Sequence, residues 1–404
     1  MLCKKDQKKD MKVRIRKTEL FIYFGSILLI LKTFLGASKI VICSETMDQT
    51  LALSGILCVL MSYVIRQKYS IREICIYIFL LSLTLINAII TRNNVLIITV
   101  VTCLAICRID LKKYISFIFN IETVLLCVHT LLAIVLSLCG HIQIIQNIGG
   151  TERFDFGMQH PNMFAALVFN ILIMYAWLNW NKLKIQHICT MMTVVIFLFI
   201  FCKTRTNFIA MIIIIALIGM AKGGIKCSAV LIEKIAVTLI PILSFFMWIL
   251  VKEYSKKSTI ILLLNKILNA RILLGAYAYS RYDFSLLGQN MQALYTGTKW
   301  DEIWQLSAFT FDCVYSYMLI NQGYIWLIIL TVLFFRLAKE KNTEDNIMLI
   351  AWALYGMTEV QGLNCFSCFS LFLISKLVVN NKKSLAKKKI IYNESRSIVK
   401  LRAL

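Results

Sequence analysis

Apolar residues in this chain come in long blocks separated by short polar or basic connections, and the block length decides most of what the chain can become. The blocks fall at roughly 20–36, 50–65, 73–90, 94–108, 114–139, 161–178, 185–202, 206–221, 229–251, 309–335, 346–363 and 365–380. Most run to the length a helix needs to cross hydrocarbon, about 20 residues. Hydrophobic residues make up 59% of the 404 and charged residues only 16%; a soluble domain of this size would need far more polar surface. Only two prolines, Pro161 and Pro241, interrupt the sequence, which suits long unbroken helices. The pattern predicts an all-α, polytopic integral membrane protein of about 12 transmembrane helices.

The basic connections set the expected orientation. The N-terminus (1–19), RQKYSIR (66–72), RIDLKK (108–113), NWNKLK (179–184), AKGGIK (221–226), RLAKEK (336–341) and the KKSLAKKK tail (382–389) are every second connection. Placing all of them in the cytoplasm satisfies the positive-inside rule. Both termini are then cytoplasmic: a basic N-terminus (1–19), one polytopic membrane domain (20–380) and a basic tail (381–404). The first span lacks a small-residue cleavage site and reads as an uncleaved anchor. The 44 Lys and Arg against 21 Asp and Glu are therefore topology signals, and no nucleic-acid partner is expected. Most of the 14 cysteines sit singly in apolar runs, where Cys acts as a small hydrophobe. Cys365 and Cys368 form a CFSC without a second pair or a His cluster, so no metal and no cofactor is expected.

The alternate connections face outward: SETMDQ (44–49), TRNN (91–94), 140–160, KTRT (203–206), a large loop over about 252–308 and a turn near Asn364. Within the large loop, IILLLNKILNARILLGAYAY (260–279) carries apolar residues at helical spacing, which predicts amphipathic helices. Arg153, Arg205, Arg271 and Arg281 reach this side from three loops; the planar guanidinium fork suits bidentate binding of phosphate. RYDF at 281–284 echoes RFDF at 153–156. Within the spans, Glu122 and His129 lie seven apart on one helix face, an arrangement read as inter-helix hydrogen bonding. Tyr295, Trp300 and Trp304 precede the tenth span, where interfacial aromatic anchors are expected.

The outer segments come in a characteristic order: RFDFGMQHPN, then CKTRTN between two spans, then LNARILLGAYAYSRYDFSLLGQ in the large loop, then FDCVYSYMLINQGYIWLI entering the next span. In this order and placement the chain resembles the Wzy-type polysaccharide repeat-unit polymerases of capsule, exopolysaccharide and O-antigen pathways, and more distantly the O-antigen ligases, over roughly 20–380. The resemblance implies a membrane glycosyltransferase of the bacterial plasma (inner) membrane with its active site facing outward. Its donor and acceptor would both be undecaprenyl-pyrophosphate-linked oligosaccharides. It also implies flippase and chain-length regulator proteins as partners beside membrane lipid.

By the same resemblance, Arg205 (in KTRT) and Arg271 (in NARILLGAY) are expected on the pyrophosphate. Cations beside the departing diphosphate stabilise the transition state more than the ground state. Asp312 stands where the ligases carry a His and is the expected general base; the bland readings are a helix cap or a carboxylate paired with an Arg. His160, just before the helix expected from Pro161, organises the site or binds substrate. Arg153, Asn162, Arg281, Tyr282 and Glu359 are the expected substrate-binding residues. Two other readings stay open on the motifs: a ligase, differing only in its acceptor, and a flippase of lipid-linked oligosaccharides. The flippase would place its cations deep within the spans, lining a central cavity, and show two related halves, and the sequence shows neither.

Overall fold

The computed structural model describes residues 2–65, 69–148, 150–224, 228–256, 258–296 and 309–377, with Asp301, Ile303, Trp304 and Leu306 between the last two segments. Trp300 and the basic tail lie outside the described residues. Helices dominate: α1 (Leu2–Ala37), α2 (Glu45–Ile65), α3 (Ile71–Thr91), α4 (Val95–Ala105), α5 (Leu111–Leu138), α6 (Pro161–Leu178), α7 (Ile185–Cys202), α8 (Arg205–Lys222), α9 (Ser228–Glu253), α10 (Thr259–Ile267), α11 (Arg271–Tyr282), α12 (Gln292–Thr296), α13 (Val314–Tyr317), α14 (Tyr324–Ala338) and α15 (Thr343–Gly356). Among the described residues nine helices are long and apolar enough to span a membrane, or ten if the bent pair α10–α11 is one span. The chain is an all-helical, multi-pass membrane protein with one short hairpin, β1 (Ile145–Ile148) and β2 (Thr151–Phe154), which pairs Gln146 with Arg153.

The difference from twelve blocks has physical causes. The block at 94–108 forms only the 11-residue α4 and a single 3-10 turn to Arg108. Between α15 and residue 375 the chain is not α-helical: 3-10 turns cover Val360–Leu363 and Phe369–Ile374, joined by irregular backbone. That irregular chain is almost wholly buried. Backbone polar groups at membrane depth must find partners inside the protein, and neighbouring side chains supply them. Thr99 donates to the Leu363 carbonyl at 2.7 Å and accepts from the Cys365 N–H at 3.2 Å. Trp352 donates to the Gly362 carbonyl at 2.7 Å. Asn170 donates to the Phe366 carbonyl at 3.2 Å and accepts from the Phe369 N–H at 2.8 Å. The same Asn170 donates to Glu122 at 2.9 Å, and His129 bonds Ser38 at 2.9 Å; both polar groups of the fifth span serve contacts between segments.

A second departure from regular helix lies between α13 and α14, where Met318–Gly323 widens into a π-helical turn. Its loosened backbone is served by the loop over 283–289. Ser285 N–H donates to the Leu319 carbonyl at 3.1 Å, Gln289 N–H to Asn321 at 2.9 Å, and Tyr324 N–H to Ser285 at 2.9 Å. Asn87 of α3 clasps both chains, donating to the carbonyls of Leu287 and Gln322 at 2.8 and 2.6 Å. Such π-turns frequently lie at functional sites, and this one begins beside the cavity described below.

The connections sort into two ends. At one end lie Arg108 with Glu73, Lys222 on Trp180, Lys339 with Glu233 and Lys376 with Asp345. At the other, the α1 C-terminus meets the hairpin loop: Lys39 N–H donates to the Gly157 carbonyl at 2.8 Å, Gln159 N–H to Ala37 at 2.8 Å, and the Lys39 ammonium pairs with the buried Asp155. The two echoing motifs adopt different structures: RFDF runs from strand β2 into a turn, while RYDF closes helix α11.

Candidate functional site

A cavity of about 620 Å³ opens at the hairpin end, within the ~300–1,000 Å³ range of small-molecule sites. Its walls come from the ends of α1 and α2, the α3–α4 turn, the start of α6, the strand-like approach to α13 and the irregular chain after α15. Four of the residues selected from sequence line it: His160, Asn162, Asp312 and Glu359.

His160 is the N-cap of α6. Its Nδ1 accepts the Asn162 N–H at 3.1 Å, and Pro161 occupies the first helical position, where its missing N–H costs nothing. The accepting Nδ1 leaves Nε2 as the N–H of a neutral ring. Burial lowers the His160 pKa; Asp312 opposes that, while Arg153 and Arg271 reinforce it. A pKa lowered in the fold means that the unfolded chain binds the extra proton first. Stability from this group is therefore full above about pH 6.5 and declines as pH falls below it. His160→Asn keeps a capping side chain and is expected to flatten that acid-side decline in a thermal-melt pH series while lowering activity.

Among the described residues Asp312 is neither a cap nor an ion-pair partner. Cys313 occupies the N-cap position of α13, and Asp312, half-buried on the cavity wall, makes no hydrogen bond or salt bridge among the described residues. Among the described residues neither bland reading of this carboxylate holds. Glu359 sits in extended backbone three residues past the end of α15, with its Oε1 accepting from Asn207 Nδ2 at 3.3 Å. Thr358 donates its hydroxyl to Asn207 Oδ1 at 2.9 Å.

The arginines divide. Arg271 is 2% exposed, with Nε and Nη2 donating to the Thr358 carbonyl at 3.2 and 2.6 Å and Nη1 to Leu268 at 3.1 Å. Its guanidinium braces the segment that carries Glu359 and does not line the cavity. Arg205 is exposed at the first position of α8, two residues before the Asn207 that bonds Thr358 and Glu359. The starts of α8 and α11 therefore converge on one short stretch, Thr358–Glu359. Arg153 stands on β2 with a buried Nε that has no hydrogen-bond partner. Arg281 is exposed, pairs with Asp301 at 2.9 Å, and with the half-buried Tyr282 ends α11 away from the cavity lining.

Sequence reasoning missed Lys32, Asp48, Asn93, Tyr317 and Gln361, all of which line the cavity. Lys32 pairs with Asp48 at 3.2 Å. An ionisable residue inside an apolar run was signal enough to flag Lys32; Tyr317 and Gln361 had none, because their significance lies in partners distant in sequence.

The fold and this cavity together define a multi-pass membrane protein with a polar, partly acidic chamber at one end of its helices. No protein-family model, no curated protein and no solved structure matches the chain.

Proposed function

We propose that this protein is a membrane glycosyltransferase that polymerises undecaprenyl-pyrophosphate-linked oligosaccharide repeat units at the outer face of a bacterial plasma membrane. The observation that carries the reading is convergence. His160 and Asn162 from HPN, Asn207 from KTRTN, Arg271 from NARILL, Asp312 from FDC, and Glu359 come from five separate segments and gather on or directly behind one chamber. The first four are the segments whose order gave the resemblance; the Glu359 segment joins them.

In this reading an acceptor hydroxyl enters the chamber and loses its proton to Asp312 as its oxygen bonds the donor's anomeric carbon. The anomeric carbon–oxygen bond breaks, and the electron pair leaves on the lipid pyrophosphate. Arg205, exposed at the start of α8, meets that growing charge, while Arg271 holds the Thr358–Glu359 wall in place. The basic end of the bundle faces the cytoplasm with both termini, through twelve crossings in all, the segments too short or irregular to span as α-helices included. Flippase and chain-length regulator proteins are the natural partners.

Two tests follow. Arg205→Ala is expected to erase the polymer ladder from cells while single repeats still reach the surface, and to leave protein abundance unchanged; a normal ladder rules out the assignment. For orientation, a membrane-impermeant maleimide on intact cells is expected to label Cys43 and Cys139, which lie at the cavity end with part or all of their side chains accessible. Serine at both positions should abolish the signal, and labelling that requires permeabilised cells would invert the orientation.

A further inference from the structure

We infer that the chamber receives an uncharged sugar unit, positioned by the hydroxyl of Tyr317, and excludes both the diphosphate and acidic sugars. This rests on the glycosyl-transfer reading and specifies which part of the substrate the chamber holds.

The hydrogen-bond directions around Tyr317 are fixed by backbone groups. Asn321 Nδ2 donates to the Gln289 carbonyl at 3.1 Å, so Asn321 Oδ1 is an acceptor. Gln322 Nε2 donates to that oxygen at 2.8 Å and to the Tyr317 hydroxyl at 2.8 Å. On the other side, Asn93 Oδ1 accepts from the Val95 N–H at 2.9 Å, which leaves its Nδ2 to donate to the same phenol oxygen at 3.1 Å. Turning either amide over would set oxygen against oxygen, or a donor against an N–H. The Tyr317 oxygen therefore accepts twice, and its own proton has no acceptor among the described residues. Tyr317 is 6% exposed and lines the chamber. A buried hydroxyl with an unused donor is costly unless a ligand or water oxygen completes it, so the Tyr317 proton offers a ligand in the chamber a ready hydrogen bond.

Charge and shape narrow the ligand. The lining carries Asp48, Asp312 and Glu359 against one lysine, Lys32, which is already paired with Asp48. Even with Glu359 neutral the lining has no net positive charge, so a diphosphate or a uronate meets carboxylates here instead of cations. The exposed Arg205 lies outside this lining, which separates a place for the diphosphate from a place for the glycan. An aromatic row, Phe309 to Phe311 at 4.9 Å and Phe311 to Tyr317 at 5.2 Å, with Phe311 on the wall, supplies the apolar face that a pyranose ring packs against.

The experiment is ligand-observed saturation-transfer NMR on the full chain in lipid nanodiscs. The probes are cellobiose, chitobiose, a glucuronic-acid disaccharide and inorganic pyrophosphate. At least one neutral disaccharide is expected to bind at least 10-fold more tightly than the glucuronide, with pyrophosphate unable to displace it. Tyr317→Phe, checked for folding by its melting profile, should weaken neutral-sugar binding about 5-fold, the worth of one hydrogen bond. If that variant misfolds, Asp312→Asn decides alone: it should narrow the neutral-to-acidic ratio at least 3-fold, which a merely structural role would not do. Glucuronide binding equal to neutral binding, displacement by pyrophosphate, no binding of either neutral sugar, or variants that leave affinity and ratio unchanged would each overturn the inference. Elongation by the same preparation is scored separately. Elongation without the sugar selectivity sinks this inference alone, and selectivity without elongation sinks the polymerase reading alone.

Discussion

Arg271→Met should cost about 3 kcal/mol of stability, the scale of losing charge-assisted hydrogen bonds to buried carbonyls. The guanidinium makes three donor contacts to two backbone carbonyls, Thr358 and Leu268, and is 2% exposed. Methionine fills most of the volume but leaves the Thr358 carbonyl without the guanidinium, while the Leu268 carbonyl keeps only the backbone N–H of residue 271; each hydrogen bond from a charged group is worth about 1.5–3 kcal/mol. It also removes a cation whose field acts on Glu359, which among the described residues is hydrogen-bonded by Asn207. Arg271→Lys retains the charge but lacks the fork, so it should recover only part of the loss. Melting in detergent separates these outcomes. Arg205→Ala, at an exposed position, should melt within about 0.5 kcal/mol of wild type. If Arg271→Met melted as wild type does, the bracing role would be wrong.

The second large effect belongs to Gly323. It holds φ +97° and ψ 132° at the junction of the π-turn and α14, a region closed to residues with a Cβ. A Cβ there would sit 2.5 Å from the Leu286 carbonyl oxygen and 2.6 Å from the Gly288 nitrogen. These are backbone atoms of the loop that supplies the π-turn with hydrogen bonds, so they cannot swing aside. Gly323→Ala is expected to cost at least about 3 kcal/mol, from backbone strain and overlap together. Because Asn321 lies in this turn and Tyr317 directly precedes it, the damage should reach the chamber and reduce activity in whatever protein remains folded. Gly219→Ala is the control. Its Cβ would meet nothing within 4 Å, and in the interior of α8 alanine should raise stability by about 0.5–1 kcal/mol. Equal melting temperatures for Gly323→Ala and wild type would contradict this account of the turn.

Much of the fold was legible because helices that face lipid need apolar runs of a set length, and most of the runs became helices at their expected places. The last two were not legible as what they are. A non-helical chain buried at membrane depth, as over 357–374, is as apolar as a span; what distinguishes it is that Thr99, Asn170 and Trp352 serve its backbone from other helices. The hairpin at 145–154 was hidden in a polar loop whose pairing depends on the Gly150 turn. At the site, His160 as the cap of α6 could be read from the Pro that follows it. Arg271 could be found but not understood: its side chain was expected to face phosphate, and it turns inward to a carbonyl 87 residues away in sequence. Tyr317 could not be found, because its free proton follows from two amides oriented by distant backbone atoms.

The most direct test is elongation by the purified protein in nanodiscs, supplied with a defined undecaprenyl-pyrophosphate-linked repeat unit and nothing else. The account predicts a ladder of lengthening lipid-linked glycans with release of undecaprenyl pyrophosphate, lost in Asp312→Asn and in Arg205→Ala while both variants keep the wild-type melting profile. Folded wild-type protein that leaves the repeat unit at its original length, or a ladder unchanged in both variants, would contradict it.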